Sequence, residues 1–341
     1  MKEFNQTDNK QLLKLIAPYR KPDLKKSIWQ IINTVVPYLA IWVVMIFVSG
    51  ISWWLVVPLS IVASGFVMRA FIIFHDCGHG AFFKSEYTSD MVGSIMGILT
   101  LTPYYWWHNA HRIHHGTSGN LEKRGVGDVW TMTTEEYWES SPKRRLFYRL
   151  YRNPIMLFFI GGPFSFIVMN RFTRKRHSRK EKYSVYATNI GILAIALVVT
   201  AFAGLKTYLI IQVMTMYFAA VIGVYLFYVQ HQFDDVHWYD DENWEYNKVA
   251  ISGSSFFKLP RVLQWFSGNI GFHHIHHLSS GIPNYNLEKC YKENEVFQSV
   301  KPITLWKSFG TYKLKLWDKV SQKLVTYSEA RKLRKYANGV V

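Results

Sequence analysis

Cysteine is nearly absent from this 341-residue chain, which holds only Cys77 and Cys290. No disulfide framework or CxxC zinc site can be built from two, and the scarcity fits a reducing, cytosol-facing setting. Charge is scarce as well, at 18% of residues against roughly 25% in ordinary soluble domains. The acidic sign is the rarer one: 23 Asp and Glu stand against 40 Lys and Arg, a net charge of +17. That imbalance suits an anionic partner, whether nucleic acid, anionic lipid headgroups or an acidic protein. No Walker A loop and no GxGxxG after a strand occur, which argues against a built-in nucleotide site. The N-terminal stretch MKEFNQTDNKQLLKLIAPYRKPDLKK lacks a cleavable signal pattern, and no internal repeat or low-complexity tract is seen.

Apolar surface is abundant instead. Aromatic residues make up 17% of the chain, and four long apolar windows stand out, at 30–50, 52–74, 185–205 and 208–230. Each is long enough to cross a hydrocarbon core of roughly 30 Å as a helix. They form two pairs joined by short turns at Gly50–Ile51 and Lys206–Thr207. Basic residues orient them. Lys2, Lys10, Lys14, Arg20, Lys21, Lys25 and Lys26 precede the first window, RFTRKRHSRKEK fills 171–182, and the segment after 231 is Lys-rich, while the opposite side carries only Lys206. The expectation is an all-α integral membrane domain over 1–341, with four transmembrane helices in two hairpins. Segments 1–29, 75–184 and 231–341 would be cytosolic. Two shorter apolar stretches, 91–107 and 155–169, read as interfacial or re-entrant helices, and Arg69 as a residue snorkelling to the cytosolic interface.

Histidine carries the chemistry. Nine of the 13 fall in three five-residue windows, HDCGH at 75–79, HRIHH at 111–115 and HHIHH at 273–277, and none precedes position 75. His75 and His79 are one helical turn apart, and His111, His114 and His115 share one helix face, as do His273, His276 and His277. His231 ends the fourth window. Eight or nine imidazoles are too many for one ion but can surround two. A structural zinc site would use about four ligands, usually with thiolate, and carboxylate di-iron sites use Glu-x-x-His pairs. The boxes here contain no Glu, so an all-nitrogen pocket for two redox-active ions, with iron the expected metal, fits best. All three boxes and His231 should meet at one membrane face. His108, His177 and His237 read as non-ligands, and His274 points off the ligand face of its box.

These boxes match the H-x3-H, H-x2-HH, H-x2-HH signature, and the chain resembles the membrane fatty-acid desaturases and hydroxylases. FIIFHDCGHGAFF, HRIHHGTSGNLEKRGVGDVW, RLYRNPIMLFF, GSSFFKLPRVLQW and GNIGFHHIHHLSSGIPNYNLE are similar to the acyl-lipid branch, in particular to Bacillus-type phospholipid desaturases, and the likeness covers nearly the whole chain. The resemblance implies a cytosolic cap carrying the boxes of a bacterial plasma-membrane enzyme. It implies that His75, His79, His111, His114, His115, His273, His276 and His277 bind two Fe ions, with His231 as an extra ligand. It further implies an O2-dependent oxidoreductase that removes two hydrogens from neighbouring acyl carbons of a membrane phospholipid, leaving a cis double bond and water. The position would be Δ5, with Δ10, Δ12 or hydroxylation as alternatives. No fused HPGG-type cytochrome b5 segment is present, so two electrons per turnover would come from a separate ferredoxin or flavodoxin, and nucleic acid drops out as a partner. An Asn that reaches the metal through water in a related branch is replaced by Phe227, with Gln230 and Asn269 as substitutes.

Supporting residues follow. Asp76, beside a ligand histidine, could orient an imidazole or cap a helix, and Asn269, four before His273, could assist. Trp106, Trp107 and Trp130 could line an acyl channel or anchor at the interface. Cys77 should pack away from the flanking histidines. WYDDENWEY at 238–246 reads as a solvated loop, and KSFGTYKLKLWD at 307–318 as a segment packing on the cap. The cluster Arg171, Arg174, Lys175, Arg176, Arg179 and Lys180 suits docking of an acidic electron donor, with contact to anionic lipid as its rival.

Overall fold

The computed structural model describes residues 6–337; Lys2 and the last four residues of the basic tail lie outside the described residues. Helix α1 (Gln6–Ile16) leads into two long helices, α2 (Leu24–Ser49) and α3 (Trp53–Gly78). Then come α4 (Glu86–Leu99), α5 (Tyr104–Thr117), α6 (Thr134–Glu139) and α7 (Pro142–Tyr151). A second long pair follows, α8 (Arg179–Ala203) and α9 (Leu205–His231).

Only α2, α3, α8 and α9, among the described residues, are single helices long and apolar enough to cross a membrane. Their 25 to 27 residues amount to roughly 40 Å at 1.5 Å each, more than the hydrocarbon core needs. The surplus lies at the ends bearing basic residues and histidines. Helix α2 starts at Leu24, not at 30, because the Asp23 carboxylate accepts from the Lys25 and Lys26 amides at 2.9 and 3.1 Å. Helix α8 starts at Arg179 because Ser178 and Glu181 close a capping box ahead of the apolar run. Its turn into α9 passes through Gly204 at φ +82°, a left-handed conformation that glycine adopts without strain.

Helix α3 is the core of the bundle, packed against α2, α4 and α9. Of its most apolar window 61% is buried within the protein, against 11% for α8, whose Ile190, Leu193, Leu197 and Phe202 face outward. In water that face of α8 would be a liability; against lipid it is the proper solvent contact.

The two short apolar stretches are broken elements. Residues 91–107 form no single helix: α4 stops, Leu101 takes φ +54°, and α5 restarts at Tyr104. Residues 155–169 form two wide π-helical turns, Ile155–Gly161 and Phe164–Val168, interrupted by Pro163 and bent 62° from α7. Arg69 departs from expectation. Instead of reaching the headgroups it is buried, bonded to the Trp265 carbonyl, with its guanidinium 3.9 Å from the Trp265 ring centroid.

Beyond α9 the chain builds a cap from α10 (Tyr246–Ser252), α11 (Arg261–Phe266), α12 (His273–Leu278) and α13 (Asn284–Glu293). The all-α framework holds, with a small addition. Parallel strands β1 (Phe256–Lys258) and β2 (Pro302–Thr304), and antiparallel strands β3 (Leu316–Asp318) and β4 (Lys323–Val325), stitch the cap together. The 307–318 segment packs as expected, burying Leu314, Leu316 and Trp317. The 238–246 segment does not. Trp238 is buried and stacks on Trp317, Trp244 Nε1 donates to the Ser118 carbonyl at 2.9 Å, and the Tyr246 hydroxyl donates to the His277 carbonyl at 2.7 Å. Its aromatic residues make it a strap between the second and third boxes, whereas its acids alone suggested a solvated loop.

Candidate metal centre

Two helix ends and two helix faces converge below the cap. His75 lies in the last turn of α3, His79 caps it, and His231 is the last residue of α9. His111, His114 and His115 share a face of α5, and His273, His276 and His277 share a face of α12. Seven of these nine are buried; His79 and His111 are half-buried.

The nine sort into two groups. His75, His79, His111, His115 and His276 bring one ring nitrogen each within 4.8 Å of one another, and His114, His231 and His277 do the same. His273 adjoins the second group, its Nε2 2.9 Å from that of His231. Other facing Nε2 pairs are His115 with His111 and with His276, both at 3.1 Å, and His114 with His231 at 3.2 Å. One proton can serve each pair at most, so lone pairs are in surplus. His79 Nε2 in the first group and His277 Nε2 in the second are buried with no hydrogen-bond partner among the described residues. Orphaned buried acceptors are costly unless something binds them. Burial first, and then the neighbouring imidazoles, hold His276 and His277 well below the ordinary imidazole pKa, with the same order of causes at His111. Neutral, convergent, unpartnered imidazoles are the donor set that iron accepts.

Carboxylates fix two of the rings from behind. Asp76 Oδ1 lies 3.0 Å from His75 Nδ1, which turns that Nε2 toward the cluster. Its Oδ2 accepts from both the backbone and side-chain nitrogens of Asn284, at 2.7 and 2.8 Å. Gln30 of α2 completes the set, donating to Asn284 Oδ1 at 3.1 Å. On the other side Asp128 Oδ1 lies 2.6 Å from His114 Nδ1. The GVGD turn delivers it: Gly127 stands at φ +73°, and a Cβ there would lie 3.0 Å from that of His114. Asp128, Asn284 and Gln30 went unrecognised in the sequence, although the GVGDVW phrase contains the first.

Several expectations need revision. Asn269 does not precede His273 on a helix, because α12 begins at His273 and Asn269 sits in a turn at φ +58°. Its amide donates to the Asn284 carbonyl, so it supports the Asp76 partner and no imidazole directly. Gln230 donates its amide to the Ile270 carbonyl at 3.0 Å, and the Phe227 ring packs 4.9 Å from that of His231. Trp130 is not in the cavity described below. It packs on Tyr148 and Tyr151 of α7. Arg171 is unavailable for docking, since it donates to Asn189 Oδ1 and the Leu101 carbonyl. His274 turns away toward Phe256 and Tyr291, His108 and His177 lie outside both groups, as does His237, and Cys77 packs with Phe74 and Phe82.

A cavity of about 550 Å³ opens beside the cluster. His75, His111 and His273 form part of its wall, with Trp106 and Trp107. Trp107 stacks on His111 at 4.3 Å. From there the cavity follows α3 and α9 down to Val67 and Met216, with Gly161 and Gly162 of the bent segment closing one side. Met216 is 15 residues from His231, so the depth is roughly 20 Å along the helix. An apolar slot of this size suits a long hydrocarbon chain.

Comparison with known proteins agrees with this geometry. Residues 52–303 match the family described as Fatty acid desaturase. A fatty acid desaturase of Bacillus subtilis is 43% identical over 318 residues, covering 93% of this chain and 90% of that one. An sn-1 oleoyl-lipid 12-desaturase of Synechocystis is 27% identical, covering 71% of this chain and 70% of the relative. An sn-1 acyl-lipid omega-3 desaturase (ferredoxin) of Nostoc is 26% identical, covering 83% and 77%. The chain is a membrane oxidoreductase that belongs to the fatty acid desaturase family.

Proposed function

We propose that the protein inserts a cis double bond into acyl chains of membrane phospholipids, using O2 and two iron ions held by nine histidines. One observation carries the reading: the deep apolar cavity has His75, His111 and His273 in its wall. His75, His79, His111, His115 and His276 would hold one ion, and His114, His231, His273 and His277 the other. Iron bound there would activate O2, the oxidant that removal of hydrogen from an unactivated methylene requires. The chain's residues do the rest. Asp76 and Asp128 hold His75 and His114 in the tautomer that leaves Nε2 free for metal. The cavity walls keep the acyl chain in one conformation, exclude bulk water and present one C–C pair to the centre. How deep the chain enters sets the position of the double bond, for which we propose Δ5.

We place the termini and segments 75–184 and 231–341 in the cytosol, at the plasma membrane of a bacterium. The support is the basic residues at those ends. Two electrons per double bond would come from a ferredoxin or flavodoxin. Such donors are acidic, and a chain of net charge +17 attracts them.

Expression in a host that lacks desaturases, followed by gas chromatography with double-bond localisation, tests the reading. The expected product is a cis-monounsaturated chain with the bond at Δ5. A bond at Δ10 or Δ12, or a hydroxylated chain, overturns the positional or chemical part. His79→Ala, His115→Ala and His277→Ala should each abolish product and lower bound iron, and full activity in all three contradicts the metal assignment.

A further inference from the structure

The apolar cavity has a basic end. Arg174 and Arg176 both line it, both are exposed, and neither has an acidic side chain within salt-bridge distance among the described residues. Most of their charged neighbours are engaged elsewhere. Arg171 is bonded to Asn189 and Leu101. The Lys180 ammonium lies 4.0 Å from the Tyr105 ring centroid and 3.9 Å from Asp90. Glu181 is spent on the Ser178 amide and on Asn109.

The turn carrying the two arginines is built rather than loose. The Arg174 amide donates to His177 Nδ1 at 3.2 Å. The Trp106 ring, which also lines the cavity, lies 5.6 Å from the His177 ring and 5.6 Å from the Arg174 guanidinium. Among the described residues the one carboxylate in the cavity wall, Asp128, is held by His114. Two guanidinium groups with no carboxylate partner among the described residues therefore stand at the exposed end of a slot whose other end is hydrocarbon-lined. A ligand that satisfies both ends has an anionic head and a long apolar tail. A guanidinium fork matches phosphate oxygens in pairs.

We infer that Arg174 and Arg176 form the binding site for the headgroup phosphodiester of the substrate phospholipid and so fix how deep its acyl chain enters the cavity. This rests on the acyl-lipid reading above and adds to it the part of the lipid that is recognised. It also divides the basic run, reserving these two residues for substrate.

The test reads binding without turnover. Purified protein in neutral detergent is titrated with phosphatidylglycerol or diacylglycerol carrying the same brominated chains, and quenching of tryptophan fluorescence is followed, with Trp106 and Trp107 in the cavity wall. The wild type should bind phosphatidylglycerol about tenfold more tightly than diacylglycerol. In the double variant R174Q/R176Q that ratio should fall to about two or below, and R174K/R176K should restore part of it. K143Q, which removes a charge from α7 outside the cavity, should keep the wild-type ratio. A wild type that does not distinguish the two lipids, or a double variant that still does, overturns the inference. So does an equal loss in K143Q, which would mean diffuse charge, or loss of the preference in millimolar inorganic phosphate, which would mean a generic anion site. Slower reduction by an acidic flavodoxin with lipid selectivity intact would reassign the pair to donor docking. A protein that binds lipid as described but forms no double bond refutes the desaturase reading alone.

Discussion

The His114 ring shows how much of this site depends on residues that bind nothing themselves. Asp128 meets its Nδ1 at 2.6 Å, and only a turn with Gly127 at positive φ brings that carboxylate so close. Partners of this kind typically change metal affinity or activity 10- to 100-fold. Asp128→Ala should therefore lower bound iron and turnover by about that range while far-ultraviolet circular dichroism stays unchanged, and retention of full iron would contradict the role. The Asp76 side is a buried network. Gln30→Leu leaves the Asn284 side-chain oxygen Oδ1 short of a donor, at a cost on the order of 1–3 kcal/mol. A thermal unfolding scan should show a lower midpoint, and an unchanged midpoint would mean that Gln30 is dispensable. Eight of the nine histidines stood out by spacing because helix geometry is local: i, i+3 and i+4 fall on one face whatever the rest of the chain does, while His231 stood out only by its place at the end of the fourth apolar window and by the family resemblance. Asn284 was not readable, since it lies 208 residues from Asp76 and only the docking of α13 against α3 brings them together.

Among the elements, α3 and α9 do most to shape the cavity, and their apolar runs announced them. The bent segment 155–171 did not announce its form. Composition marked it as short and Gly-Pro-interrupted, but its wide π-helical turns arise where it meets α9: a Cβ at Gly162 would come 2.9 Å from Val224. Likewise the 238–246 strap looked solvated because its acids dominated the reading, while its aromatics found partners at Ser118, just past the second box, and at His277 in the third. The cavity itself gives an element-level prediction. Ala219 and Ala220 line it along α9, and Ala219→Phe would fill space there. Product analysis with acyl chains of graded length should show turnover of the longest chains falling most. Equal loss at every length would mean a packing defect instead.

For the whole molecule, four spans would put both ends of the chain on one side of the membrane. Both native cysteines are buried, so introduced ones can be labelled against a quiet background. Cysteines replacing Lys21, Lys123, Arg179 and Ser299 should all react from the cytosolic side, and one replacing Lys206 from the outside. Opposite reactivity at 123 and 299 would mean that the bent segment spans the membrane and would separate the second box from the third. The proposed chemistry turns on nine histidines holding two irons, and metal analysis of the purified protein with an optical spectrum tests that most directly. About two iron atoms per chain and no Soret band are expected. A single zinc, a haem spectrum, or protein that converts substrate without iron would contradict the two-iron assignment.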